Sequence, residues 1–96
     1  MNSGFQPKQY ARMGMFLLEE AILDVLLDAQ QKNGCLGPTA ISKKLGIFRF
    51  QDNHRGYIAY NILQKLEDEG RVERSPSVQG GWQLTQEEFM NRHDDL

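Results

Sequence analysis

The sequence predicts a small α+β domain that is mostly helical. Three segments carry apolar residues at spacings of three and four, which is the period of an amphipathic helix. After residue 70, a turn rich in Pro, Ser and Gly separates two short segments of strand character. The chain has 96 residues, of which 40% are hydrophobic and 25% charged, so it suffices for one compact domain.

Composition excludes several classes of protein. No apolar run is long enough for a membrane span, and the first residues lack the basic and apolar pattern of a secretory signal. The single cysteine, Cys35, cannot form an internal disulfide and suits a reducing, cytoplasmic setting. The two histidines and the cysteine lack metal-ligand spacing, and the sequence has no glycine-rich phosphate loop. We therefore expect neither an enzyme nor a metal or cofactor site.

The first helix is predicted over residues 14–32, after an irregular, flexible arm over residues 1–12. Its main apolar stripe lies on one face and comprises Leu18, Ile22, Val25, Leu26 and Ala29. A second stripe of Phe16, Leu23 and Leu27 lies on another side. Two stripes indicate that a second surface of the helix is covered. The cover is either the ends of the chain or another copy, in a homodimer formed through this helix and the arm.

The second and third helices follow Cys35 and Leu36, which are too few for more than a bridge of strand. Pro38 suits the first turn of a helix that runs to Leu45 and ends at Gly46. The third helix is predicted over residues 54–69, with Gly70 closing it. Its apolar stripe is Ala59, Ile62, Leu63 and Leu66, and its opposite stripe is Tyr57, Tyr60, Asn61 and Gln64. In the link between the two helices, Phe48 and Phe50 are expected to cover the core.

The last third of the chain predicts a hairpin and a final short helix. Residues 71–75 form the first strand with Val72 inward, and Trp82–Leu84 form the second with Trp82 in the core. Thr85 and Glu88 have capping-box spacing, which predicts a helix that ends in a disordered tail over residues 93–96. The domain therefore spans residues 13–92.

Three strings in this order resemble the winged helix-turn-helix superfamily, over about residues 20–89. They are GPTAISKKLGI, ILQKLEDEGRVER and GGWQLTQEE, at residues 37–47, 62–74 and 80–88. The local pattern is similar to that of PadR-like and MarR-like bacterial regulators. The resemblance implies a three-helix core, a two-stranded β-wing and a short C-terminal helix. It also implies binding of double-stranded DNA in prokaryotic or phage transcription regulation, with the third helix in the major groove.

The charge distribution agrees with a polyanionic partner, although the net charge is −2. Residues 32–65 carry six basic side chains against Asp52 alone, whereas the segments on either side are acidic. A basic middle segment neutralises phosphates, which is the sequence-independent part of DNA affinity.

The candidate DNA-binding residues fall into two groups. Asn61 and Gln64 suit adenine, and Tyr57 and Tyr60 offer a hydroxyl for phosphate and a ring for sugar or thymine methyl. The candidate phosphate contacts are the basic residues Lys43, Lys44, Arg49, Arg55, Lys65 and Arg74. The alternative is a protein-interaction module that does not bind DNA, because winged helices also serve as adaptors.

Overall fold

The computed structural model describes residues 6–47 and 57–94. Over these residues the protein is α+β, with four helices and a two-stranded antiparallel sheet. The elements in chain order are α1 (Pro7–Gln31), α2 (Pro38–Lys44), α3 (Tyr57–Asp68), β1 (Val72–Arg74), β2 (Trp82–Leu84) and α4 (Gln86–Asp94).

The core is built around the C-terminal part of α1, which packs against α2, α3, β2 and α4. Ile22 and Leu26 of the predicted main stripe are fully buried, and so is Leu23. Leu27 of α1 is also buried. Every other element except α4 adds buried core side chains, namely Ile41, Ala59, Ile62, Leu63, Leu66, Val72, Trp82 and Leu84. The prediction of a helical stripe on α3 and of an inward Trp82 is confirmed.

Two features of α1 differ from the sequence prediction. The helix begins at Pro7, so residues 7–12 are helical and not an irregular arm. Proline is favoured at this first position, and the Gln6 backbone N–H donates to Gln9 Oε1 at 2.7 Å, which caps the turn. The chain leaves the helix at Asn33, which has a positive φ of 63°, rather than at Gly34.

The role predicted for Leu23 and Leu27 is also wrong. They were candidates for a dimer surface together with Phe16, but their exposed fractions are 0% and 6%, and they belong to the core of this chain. The second stripe is covered by the chain itself, because β2 and α4 pack on α1 as well as α2 and α3. Phe16, by contrast, is 58% exposed.

The ends of α2 and α3 follow the predicted signals. Pro38 starts α2, and Gly46 and Gly70 follow α2 and α3 with φ values of 72° and 76°, a conformation that costs glycine little. The Arg71 N–H donates back to the Leu66 carbonyl at 2.9 Å, which turns the chain directly into β1. The predicted start of the third helix at residues 54–56 lies outside the described residues, as do Phe48 and Phe50.

The hairpin pairs Val72 with Leu84 and Arg74 with Trp82. The first strand is shorter than the predicted residues 71–75, and the second has the predicted bounds. Leu36 forms an isolated bridge with Trp82, with the Trp82 N–H donating to the Leu36 carbonyl at 2.7 Å. This bridge attaches the segment before α2 to the sheet, as the sequence predicted for Leu36.

The final helix begins as the capping pattern predicts. The Glu88 N–H donates to Thr85 Oγ1 at 3.3 Å. The helix continues through His93 to Asp94, so the first half of the predicted tail over residues 93–96 is helical. Among the described helices, none combines the length and the apolar character needed to cross a bilayer.

Candidate nucleic-acid interface

The outward face of α3 is polar and uncharged over its first two turns. Tyr57, Asn61 and Gln64 follow each other at spacings of four and three, so they share the side opposite the buried stripe. Tyr57 is 54% exposed, Asn61 is exposed and Gln64 is half-buried. Within the described part of the chain, the amides of Asn61 and Gln64 form no hydrogen bond. They are therefore available to an external donor or acceptor.

Tyr60 lies at the edge of this face, beside the hairpin. Its ring meets that of Trp82 edge to face, with centroids 6.5 Å apart and an interplanar angle of 85°. The Arg74 guanidinium lies 4.6 Å from the centroid of Trp82 and 5.9 Å from that of Tyr60. Arg74 Nη2 also donates to the Tyr60 hydroxyl at 3.4 Å. The three side chains form an aromatic-supported arginine, which we call the Arg74 stack.

The pairing of the hairpin explains the Arg74 stack. Arg74 and Trp82 are directly opposite each other on the two antiparallel strands, so their side chains emerge on the same face. No carboxylate of the described residues forms an ion pair with Arg74. Its charge is held in position by aromatic rings and is not neutralised by an acid.

The sequence did not identify Trp82 as part of this site. It predicted Trp82 as a core residue, and the side chain is indeed only 1% exposed. The length of the turn between the strands could have indicated its contact with Arg74, because that length sets which residue of the first strand pairs with Trp82.

Two lysines lie on α2, the helix that packs against α3. Lys43 and Lys44 are exposed in the last turn, where a positive charge also suits the helix dipole. Lys44 forms no ion pair with a described residue. The cations of α2 and of β1 thus lie on two of the elements that pack against α3.

Lys65 is not placed with these residues. Its Nζ lies 2.9 Å from Glu19 Oε2 and 2.7 Å from Glu69 Oε2, on the side of α3 that faces α1. The hydrogen bonds to Glu69 and then Glu19 raise the pKa of Lys65. Its charge is occupied by two carboxylates of the same chain. Arg49 and Arg55, the two other predicted phosphate contacts, lie outside the described residues.

A second group of charges is fully ion-paired and joins α1, α4 and the start of β1. Arg92 contacts Glu20 at 2.9 Å, Asp24 at 2.8 Å and Glu88 at 3.1 Å. Arg71 contacts Glu88 at 3.0 Å and Glu20 at 3.4 Å. Hydrogen bonds from Arg71 and from Arg92 lower the pKa of Glu88. We call these five residues the ion-paired cluster.

Searches against protein-family models, curated proteins and solved structures found no match to this chain. Among the described residues, no group of three His, Cys, Asp or Glu side chains has the arrangement of a metal site. The geometry of α3 and of its neighbours is therefore the main evidence on function.

Proposed function

We propose that this chain is a winged helix domain that binds double-stranded DNA and acts as a small transcription regulator, with α3 as its recognition helix. The observation that carries the proposal is the outward face of α3. It presents uncharged donors and acceptors at Tyr57, Asn61 and Gln64. Two of the elements that pack against α3 carry Lys44 and Arg74, and neither has a carboxylate partner among the described residues. In this proposal the β1–β2 hairpin is the wing.

The side chains of α3 suit the major groove. This groove admits a helix and displays a distinct donor and acceptor pattern for each base pair. The amide of Asn61 or Gln64 has one donor and one acceptor group, which match the N6 and N7 positions of adenine. The exposed Tyr57 ring can contact a sugar or a thymine methyl, and its hydroxyl can donate to a phosphate.

The flanking cations supply the sequence-independent part of the affinity. Lys43 and Lys44 lie in the last turn of α2, and Arg74 lies at the end of β1 that adjoins the hairpin turn. A protein that neutralises phosphates releases counterions, so its affinity falls steeply as salt rises. Arg74 adds planar geometry, because a guanidinium held against a ring donates in a fixed direction to a phosphate oxygen.

The negative net charge does not conflict with this proposal. Glu19, Glu20, Asp24, Glu69 and Glu88 are all engaged with Lys65, Arg71 or Arg92. These acids contribute to the total charge, but they belong to α1, α4 and the end of α3. α3 carries no acidic residue before Glu67 and Asp68 in its last turn.

The test is a titration of a fluorescently labelled random-sequence duplex, followed by anisotropy at low and at near-physiological salt. We expect binding at low salt that weakens steeply with added salt. A labelled duplex of the same length is then challenged with unlabelled single strands and with RNA, and the duplex DNA is expected to be retained. Absence of binding at low salt would overturn the proposal and favour the protein-interaction module.

A further inference from the structure

An exposed isoleucine lies beside the amide of Asn61 in the first two turns of α3. Ile58 is 49% exposed and does not belong to the buried core. It precedes Asn61 by three positions and Tyr57 precedes Asn61 by four, and such residues are neighbours on a helix surface. The exposed Asn61 amide is therefore bordered by a branched apolar side chain on one side and by an aromatic ring on the other.

This combination matches the major-groove edge of A·T base pairs. Adenine presents an acceptor at N7 and a donor at N6, and thymine presents an acceptor at O4 and the C5-methyl group. A carboxamide has one donor and one acceptor group, so it can bind adenine N7 and N6 together. An apolar side chain can contact the thymine methyl group. Asn61 and Ile58 thus carry the two kinds of group that A·T pairs require.

A G·C pair does not satisfy the same two side chains. Guanine presents two acceptors, N7 and O6, so the carbonyl oxygen of a carboxamide would face an acceptor and not a donor. Cytosine has an amino group and lacks the methyl group. On a G·C pair the Asn61 carbonyl would lose its hydrogen bond and Ile58 its apolar contact, and a polar group that is desolvated without a partner is costly.

α3 also has no free cation with which to bind guanine. Arginine and lysine are the side chains that pair with guanine N7 and O6. Lys65 is the only basic residue of α3, and its Nζ lies 2.9 Å from Glu19 and 2.7 Å from Glu69. Because these two carboxylates engage the Lys65 charge, α3 offers carboxamides and apolar groups to the bases, and no guanine-binding group.

The acidic residues of α3 are at the wrong end to bind cytosine. A carboxylate can accept a hydrogen bond from the cytosine amino group. Recognition helices, however, contact base edges through their N-terminal residues, and Glu67 and Asp68 lie in the last turn. The N-terminal half of α3 therefore presents only groups that suit A·T pairs.

We propose that α3 selects A·T base pairs in its target, with Asn61 binding adenine and Ile58 contacting a neighbouring thymine methyl group. This inference rests on the proposed function, because it names the bases that the same helix contacts. It makes Ile58 and Asn61 specificity-determining residues, whereas Lys43 and Lys44 supply affinity for any sequence.

The test compares duplexes that differ in one groove at a time. Unlabelled duplexes of equal length, composed of A·T, G·C or inosine·cytosine (I·C) pairs, displace a labelled random-sequence duplex in an anisotropy titration. Inosine is guanine without its 2-amino group, so an I·C pair resembles A·T in the minor groove and G·C in the major groove. We expect the A·T duplex to bind at least about tenfold more tightly than both the I·C and the G·C duplexes.

Two variants assign this preference to the named side chains. Asn61→Ala should reduce the preference for A·T over I·C pairs to about twofold or less. Replacing thymidine by deoxyuridine removes only the methyl groups and should weaken wild-type binding about threefold. Ile58→Ala should bind the thymidine and deoxyuridine duplexes equally.

The matched controls remove similar groups elsewhere. Gln31→Ala removes an exposed amide at the end of α1, and Met90→Ala removes an exposed apolar side chain of α4. Both should keep the A·T preference and the sensitivity to deoxyuridine. All four side chains are exposed, so each variant should fold, which circular dichroism checks.

Three results would overturn the proposal. Equal affinity for A·T and I·C duplexes would mean that α3 does not distinguish bases in the major groove, although DNA binding itself would stand. An A·T preference that persists unchanged in both Asn61→Ala and Ile58→Ala would assign the preference to other residues. Absence of binding to every duplex at low salt would overturn the proposed function as well.

Discussion

Arg71 and Arg74 are three residues apart, yet they serve different sides of the molecule. Arg71 reaches Glu88 and Glu20 in the ion-paired cluster, whereas Arg74 lies on Trp82 and Tyr60 beside α3. On the first side every cation is neutralised by carboxylates of the same chain. On the second side Lys44 and Arg74 have no carboxylate partner among the described residues.

This difference shows how a chain of net charge −2 can contain a cationic surface. Charges that are paired inside the fold contribute to its stability and give little attraction to an external polyanion. Charges without a partner contribute little to stability and attract an external polyanion. The predictions below separate the two sides, since variants of the ion-paired cluster should change stability and variants beside α3 should change binding.

Arg92→Met tests the ion-paired cluster and should have the largest effect. The side chain is 15% exposed and contacts three carboxylates, which would be left together without their cation. We expect a loss of about 2–3 kcal/mol in the free energy of unfolding, and thus a fall of about 10 °C or more in Tm. Thermal denaturation followed by circular dichroism measures it.

The control for Arg92→Met is Lys32→Met. Lys32 pairs with Asp28, but their side chains are 75% and 57% exposed, so the pair is worth little. If the two variants lose the same stability, the ion-paired cluster does not have the structural role that we assign to it.

Lys43→Glu/Lys44→Glu tests the opposite side. We expect affinity for a random duplex to fall roughly thirtyfold at low salt, because two phosphate contacts are replaced by repulsion. The unfolding free energy should change little, since both side chains are exposed. Anisotropy titrations at several salt concentrations measure the affinity. Lys32→Glu, a charge reversal directly after the end of α1, should leave the duplex affinity nearly unchanged, and an equal loss there would mean that only the overall charge matters.

The pH dependence of stability should depend on Glu88. Its pKa in the folded protein is held below the ordinary value of 4.5, first by Arg71 and then by Arg92. A lowered carboxyl pKa adds stability above the unfolded pKa, and this stability is lost as the pH falls through the folded pKa. We therefore expect Glu88→Gln to be less stable than the wild type by about 1–2 kcal/mol at pH 7.

The stability difference between Glu88→Gln and the wild type should depend on pH. The difference in unfolding free energy between Glu88→Gln and the wild type should shrink as the pH falls below about 4.5. Urea denaturation at a series of pH values measures it. A difference that stays constant down to pH 3 would mean that the carboxylate charge contributes nothing through Arg71 and Arg92.

The elements that the sequence predicted well have signals within a few residues. Pro38 and Gly46 bound α2, Gly70 ends α3, and the alternation around Trp82 gives β2. Local chemistry decides such boundaries, so it is visible without the fold. The start of α1 was missed because the apolar side chains of residues 7–17 lie on several sides of the helix and therefore show no one-sided stripe.

The pairing of charges was not predictable in the same way. Arg92 and Glu20 are 72 positions apart, and Lys65 meets Glu19 only because α3 packs against α1. The sum of charges along the sequence places Lys65 in a basic segment, whereas in the fold Lys65 is paired with Glu19 and Glu69. The candidate site could be predicted for the face of α3, where helical spacing suffices, but not for the cations around it.

Arg74→Lys makes the finest distinction between the two sides and should have the smallest effect. Lysine keeps the positive charge but not the planar group that lies on Trp82 and Tyr60. We expect duplex affinity to fall about threefold with an unchanged salt dependence, because the number of phosphate contacts stays the same. Arg74→Met should weaken binding further and reduce the salt slope. The unfolding free energy should change by less than about 1 kcal/mol in both, as for an exposed cation–π contact. If Arg74→Met instead binds the duplex like the wild type and is clearly less stable, the Arg74 stack belongs with the ion-paired cluster as a structural contact, and the phosphate contacts beside α3 come from α2 alone.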